Sequence, residues 1–377
     1  MKVLVFVLIL IIVSARPSNA QKTSFHGQAS VVGSFSPKND LPFFLGTRYI
    51  PEFRLTTKID SVKNFDILAS ANLSSTILFS DFETSNTNFN LNPYRIWIRY
   101  SSKQFELRVG LQKIDFGSAT ILRPLQWFNQ IDPRDPLQLT NGVYGIMGRY
   151  TFLNNANIRI WGLYGNEKAR GFDVVPTNNS IPEFGGRIQH PVPKGELAFS
   201  YHHRSANTTT LGHVSALNKI PENRIGLDGK WDLGIGLWFE GDYIHKEKNV
   251  QNLTNQTLLN IGVDYTFPLG TGLNAVLEHM QVNFDEKQFS VNNGMHISAA
   301  TFMYPISFFD NLSTVFYYDW ASKNTSFFLN YSHQFQKLTG YLMAYYNPEN
   351  TQTGIQQNEL FNQFQGPGIR LMLVYNH

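Results

Sequence analysis

The feature that most constrains this chain is a hydrophobic period of two that recurs along nearly all of it. In 94–100, Tyr94, Ile96, Ile98 and Tyr100 fall on one face and Arg95, Trp97 and Arg99 on the other, because successive side chains of a strand project to opposite sides of a sheet. In 104–112, Phe105, Leu107, Val109 and Leu111 oppose Gln104, Glu106, Arg108 and Gln112. The same reading fits 157–161, 224–228, 259–267 and the final Ile369, Leu371, Leu373 and Tyr375. The whole chain gives eighteen expected strands: 24–34, 48–58, 65–77, 93–101, 104–112, 144–152, 156–165, 183–190, 195–202, 223–231, 234–245, 258–267, 272–284, 294–305, 310–320, 326–334, 337–346 and 368–376. Three of them (272–284, 294–305 and 337–346) alternate poorly, which leaves 16 as the other even count.

The connections alternate in length. The short set is 59–64, 102–103, 153–155, 191–194, 232–233, 268–271, 306–309 and 335–336, and the long set includes 35–47, 78–92, 113–143, 166–182, 203–222, 246–257 and 347–367. Only 321–325 is short where parity asks for long. A soluble sandwich has no reason to sort loops by parity, whereas transmembrane barrels join their strands by short periplasmic turns and longer outer loops. The expected fold is therefore all-β: a transmembrane antiparallel β-barrel forming one domain over 21–377. The Asn-rich stretches 85–92 and 249–255 then fall in outer loops.

Residues 1–20 read as a cleaved signal peptide. Lys2 is followed by eleven apolar residues, Val3 to Val13, and Ser18 and Ala20 occupy the −3 and −1 positions of a cleavage site. The run is too short to span a bilayer as a helix, which takes roughly 20 residues. The full chain has 31 Lys+Arg against 28 Asp+Glu. Without Lys2 and Arg16 the count is 29 against 28, with none of the clustered positive excess of a nucleic-acid binder. The absence of Cys excludes disulfides, thiol catalysis and thiolate metal sites. No G-x-S-x-G, H-E-x-x-H, phosphate-cradling or EF-hand motif is present, so no catalytic residue, metal site or cofactor is assigned.

If the apolar faces meet lipid, the other residues point into the lumen. Arg48, Arg54, Arg95, Arg99, Arg108, Arg149, Arg159, Arg187 and Arg370 form an expected basic wall, and Asp228, Glu240, Asp242, Asp264, Glu278 and Asp319 an acidic one. An Arg on the lipid face would cost about 2–4 kcal/mol at the midplane. Opposed walls would set up a transverse field in a watery pore and favour polar solutes. Trp97, Trp161 and Trp238 also point inward in this register, where they could stack on sugars or pack beneath a loop.

The alternating strands, loop parity and leader resemble the Gram-negative outer-membrane porin superfamily. Within it, Arg108-Val109-Gly110-Leu111-Gln112, then Phe116-Gly117, then Asp132-Pro133-Arg134-Asp135-Pro136 is similar to a pattern of porin-like and alginate-export-like barrels, in which an R-x-G-x-Q strand precedes a long loop with an N/D-P-x-D element. The resemblance implies a site in the outer membrane. It also implies partners: outer-membrane lipids and lipopolysaccharide, the barrel assembly machinery and small polar solutes, with a homo-oligomer left open. Members usually end in Phe or Trp on the lipid face; here Tyr375 is in phase and the last in-phase residue is His377. The resemblance further makes the third outer loop, 113–143 with Arg123, Trp127, Asp132, Arg134 and Asp135, a constriction whose two Asp sit near the basic wall. The expected function is a passive channel for small polar solutes, sugars or organic acids among them. A secreted carbohydrate-binding β-sandwich and an outer-membrane enzyme barrel are the alternatives.

Overall fold

A computed structural model describes residues 21–80, 83–209, 211–212, 216–292, 294–348 and 366–377. The leader 1–20 and most of the connection 347–367 lie outside the described residues. The first half of the chain forms β1 (Gln21–Phe35), β2 (Phe43–Lys58), β3 (Asn64–Ser80), β4 (Glu83–Ser101), β5 (Phe105–Gln112), β6 (Val143–Thr151), β7 (Asn157–Leu163), β8 (Glu183–Val192) and β9 (Gly195–Ala206). The second half forms β10 (Ile220–Asp232), β11 (Gly236–Lys246), β12 (Asn255–Phe267), β13 (Leu273–Asp285), β14 (Met295–Pro305), β15 (Asp310–Asp319), β16 (Asn324–Gln334), β17 (Leu338–Asn347) and β18 (Gly366–Asn376).

Consecutive strands pair antiparallel throughout. β18 pairs back onto β1, from Gln28 opposite Asn376 to Phe35 opposite Ile369, so one sheet closes on itself. Closure removes every sheet edge and satisfies the backbone without water, the condition for strands to cross lipid. Two packed sheets, as a β-sandwich requires, are not what forms. No helix among the described residues is long and apolar enough to cross a membrane.

The period of two sorts side chains as the hydrophobic effect demands. In β18, Ile369, Leu371 and Leu373 are 55%, 62% and 46% exposed on the outside, while Arg370 and Val374 are buried within. Outward aromatics collect at strand ends, with Tyr265 against Phe267 at one rim and Tyr318 against Trp320 at the other, as girdles at the two membrane interfaces. Three outward Tyr-x-His pairs share one design, in which both side chains converge on a single oxygen of a neighbouring strand. Tyr201 and His203 meet Asn223, Tyr243 and His245 meet Asn255, and Tyr331 and His333 meet Asp310.

All eighteen expected segments have a counterpart within a few residues, except at the outer ends of β2, β3 and β4. There β3 and β4 run on into the expected loop 78–92, so residues 87–92 are strand. Tertiary pairing, Ser74 with Asn90 and Ser75 with Phe89, overrides the turn preference of a polar Asn-rich sequence.

Candidate functional site

The connection 113–142 lies inside the barrel, held by carboxylates of the far wall. Ala119 N–H donates to Glu240 Oε1 (2.7 Å) and Leu125 N–H to Glu240 Oε2 (3.2 Å). The N–H groups of Thr120 and Ile121 and the Thr120 hydroxyl converge on Glu278 Oε1 (2.7, 3.1 and 3.0 Å), and Leu122 N–H reaches Glu278 Oε2 (2.5 Å). Ser118 Oγ donates to Asp228 (3.1 Å), and Trp127 Nε1 to Asp242 (3.0 Å). The physical reason is the loop's own backbone. It has no regular structure, so its buried amides need acceptors from elsewhere, and carboxylates accept several at once. Gly117 lies at φ 107°, and a Cβ there would run into Glu240.

Apolar packing seals the same interface. Phe116 stacks on Trp161 at 5.7 Å, and Phe128 meets Trp161 edge-on at 5.3 Å. Ile121 and Leu122 pack with Trp238, Leu258 and Met280. Trp161 and Trp238 are thus buried under the loop, and Trp97 lies beneath the guanidinium groups of Arg99 and Arg108. None of the three offers an open ring face to a sugar.

A second connection, 164–182, also folds inward, and the sequence reading did not find it. Phe172 joins the cluster of Ile121 and Leu122. Asp173 pairs with Arg204 (2.9 Å) and Arg224 (2.6 Å). Glu222 sits between Arg204 (2.5 Å), Arg224 (2.6 Å) and Lys246 (3.4 Å), and Arg170 binds Glu183 (2.5 Å). The available signal was phase. The expected strands end at 202 and begin at 223, so Arg204 and Glu222 fell one alternation step outside them.

The arginines form a less uniform wall than the sequence reading expects. Arg99 pairs with Asp66 (2.9 Å), Arg108 with Glu106 (2.7 Å) and Arg187 with Asp228 (2.6 Å). Arg123 of the loop binds Asp115 (2.8 Å), whose carbonyl also accepts from Arg159 (3.1 Å). Arg95 is buried against the carbonyl of Thr140 (2.8 Å), fastening the end of the loop. Arg149, Arg159 and Arg187 lie directly opposite one another on β6, β7 and β8, and Arg149 makes no ion pair among the described residues. Arg54 pairs with Glu52 at the periplasmic end. Among the acids, Asp264 reaches Lys230 at 3.9 Å, and Asp319 caps the outer turn at Ala321 and Ser322. Carboxylates therefore stand among the arginines, and most of the acidic set grips loops instead of facing water.

Open space remains on the opposite side, between the loop's stiff tip and β1–β4, β17 and β18. Asp132 is bound by Arg134 of its own loop (2.7 Å). The Asp135 carboxylate accepts from the N–H groups of Leu137 (3.0 Å) and Leu139 (3.3 Å). Burial pushes the Asp135 carboxyl above its ordinary value, against the pull of those amides and of Arg48. The cavity beside it is lined by Arg48, Ser74, Thr76, Asn90, Arg370 and Asp135. Among the described lining residues, two guanidinium groups and one carboxylate stand in a rim of hydroxyls and amides.

No protein-family model matches the chain, and no curated protein is similar to it in sequence. Solved structures are similar in fold. OccAB1 of Acinetobacter baumannii superposes with a TM-score of 0.57 at 8% identity, covering 95% of this chain and 97% of that one. OccD3 (OpdP) of Pseudomonas aeruginosa gives 0.55 at 11% identity over 94% and 91%. The outer membrane channel DcaP of A. baumannii gives 0.51 at 10% identity over 96% and 99%. With its closed sheet, apolar exterior and rim aromatics, the chain folds as a transmembrane β-barrel of the outer-membrane porin type.

Proposed function

We propose that this protein is a passive outer-membrane channel whose constriction lies between the tip of loop 113–142 and the wall of β1–β4, β17 and β18, and that it passes small polar solutes, anionic organic acids ahead of neutral sugars. The observation that carries this reading is the lining of the opening, in which Arg48 and Arg370 stand with Asp135 among hydroxyls and amides. Guanidinium groups on the wall of a narrow aqueous space raise the local concentration of anions. Arg149 and Arg159, directly opposite each other on β6 and β7, add positive charge on the wall beside the loop. The covered tryptophans argue against a sugar-stacking track. Purified protein in planar bilayers provides the test. Reversal potentials in a salt gradient should show anion preference, and a dicarboxylate should block current at lower concentration than a disaccharide. Cation preference, or equal block by both solutes, would overturn the proposed selectivity. A folded barrel without conductance steps would overturn the channel itself.

A further inference from the structure

The closed sheet has no edge where all its strands run side by side, but its wall is not level at the extracellular end. There β5, β6 and β7 end at Gln112, Val143 and Leu163, while β3 and β4 run on as a hairpin to Ser80 and Glu83. The last residue pair between β4 and β5 on that side is Ile96 with Leu111. Just beyond it β4 carries one extra residue, Tyr94, because Ser70 pairs with Arg95 and Ala71 with Pro93. Residues 86–93 then run in unbroken register with 71–78 of β3, from Ala71 opposite Pro93 to Leu78 opposite Asn86. On its other side this stretch pairs with no strand among the described residues. A strand bonded on one side turns the N–H and C=O of every second residue to the open side. At about 3.4 Å per residue, the open edge 86–93 is roughly 27 Å long.

Sheet edges are normally guarded by Lys, by Pro or by a covering segment. From Thr84 to Asn92 the sequence holds no charge and no proline, and residues 87–93 are exposed. The two faces of the stretch differ. Asn88 and Asn90 line the pore opening together with Thr76 and Ser74, their partners on β3. Phe89 and Leu91 alternate with them on the outer face and are 66% and 62% exposed. The result is a regular alternating strand with one ladder made and the other open.

We propose that the edge 86–93 is a docking site for an extended, uncharged segment of a second polypeptide arriving from outside the cell, which adds to the sheet as a strand beside β4. A polypeptide main chain carries N–H and C=O groups at the spacing of such a row, so the edge itself selects the class of partner. The added strand continues the β4–β5 ladder beyond Ile96 and Leu111. β3 shows which side chains suit β4. Ser74 and Thr76 stand opposite Asn90 and Asn88, and Leu73 and Ile77 opposite Leu91 and Thr87. A matching segment therefore alternates hydroxyl or amide residues towards the lumen with apolar residues outward. It carries no charge, because β4 offers none to meet it between Thr84 and Asn92. The inference needs only the fold and is independent of what the pore conducts.

The test uses the full mature protein in detergent. The probe is a labelled synthetic peptide with the sequence of residues 72–79, which already suits β4 on its other side. The peptide should bind and raise the hydrogen-exchange protection of 87–92, leaving that of β1 unchanged. The same peptide with every amide N-methylated keeps its side chains but loses its donors, and should bind about tenfold more weakly. Phe89→Lys combined with Leu91→Lys gives the edge the charges that guarded edges carry. It should weaken binding of the unmodified peptide about tenfold, with heat-modifiable migration in SDS as the check on folding. No gain of protection at 87–92, equal binding of the two peptides, or wild-type affinity in the folded double variant would overturn the proposal. So would a wild-type oligomer in which 87–92 is already protected and which the double variant dissolves, since the edge would then belong to a second copy. Should the double variant fail to fold, the two peptides on wild type decide.

Discussion

Glu278 is the residue on which the inward position of loop 113–142 most depends. Its carboxylate accepts the N–H groups of Thr120, Ile121 and Leu122 and the Thr120 hydroxyl, besides Trp238 Nε1 and Asn260 Nδ2 of the wall. Glu278→Leu keeps an apolar side chain of similar reach and removes every acceptor. A bond to a charged acceptor is worth about 1.5–3 kcal/mol, and an orphaned buried donor costs about 1–3 kcal/mol. Water in the lumen rehydrates part of what is lost, so about 0.5–1 kcal/mol for each of the four loop donors is a fair discount. The total, about 2–4 kcal/mol, corresponds to a shift of roughly 30- to 10³-fold towards the undocked loop. Hydrogen exchange should then lose protection at 119–122 while the strand amides keep theirs, and single-channel records should show larger, noisier steps. Glu278→Gln retains one acceptor oxygen and should fall between. A Glu278→Leu barrel with wild-type protection at 119–122 and wild-type conductance would refute the argument that these bonds hold the loop.

Gly117→Ala forces a Cβ into Glu240 at a positive φ and should produce a milder form of the same loosening, read in the same exchange experiment. Arg187→Ala leaves the buried Asp228 carboxylate without its cation and should cost about 3–5 kcal/mol, seen as a lower temperature for the heat-modifiable shift in SDS. Arg48→Ala combined with Arg370→Ala removes both guanidinium groups from the opening and should widen it and move the reversal potential towards cations. Because burial raises the Asp135 carboxyl above the ordinary Asp value of about 4, it takes up its proton earlier as pH falls. The opening then loses that negative charge, so anion preference should grow on acidification through that raised range. The change should be absent in Asp135→Asn, as bilayer reversal potentials measured across pH would show.

The strands were legible because alternation is a local property: each needs only its own residues, as Ile369, Leu371 and Leu373 facing out and Arg370 facing in show. Loop placement was legible only in part. Length, parity and a resemblance to porins singled out 113–143, yet the assignment of its partners was incomplete. Asp132 and Asp135 bind within the loop, while the grip comes from Glu240 and Glu278 on backbone amides that look alike in every sequence. Side-chain identity shows which groups can accept, but not which amides will lack a partner. The inward course of 164–182 was invisible for a similar reason. Arg170 and Asp173 read as solvated loop charges until Glu183, Arg204 and Arg224 are brought beside them. The extension of β3 and β4 over Asn-rich sequence depends on pairing between two chains of residues and not on the preference of either.

The bonds between loop 113–142 and the far wall also bear on timing. Thr120 and Glu278 are separated by 158 positions, whereas the loop leaves β5 and returns to β6, which pair directly with each other. Until β10–β13 have curled round to meet it, the loop amides and the carboxylates of Glu240 and Glu278 must each be satisfied by water. Joining β1 to β18 too early would enclose that water and leave the loop to thread into a finished cylinder. The order with the fewest obstacles is a half-curled sheet that gathers its loop first and closes its seam over a lumen already filled. Contacts so distant in sequence make such a step slow, and the seam becomes the last part of the molecule to know whether the earlier parts are in place.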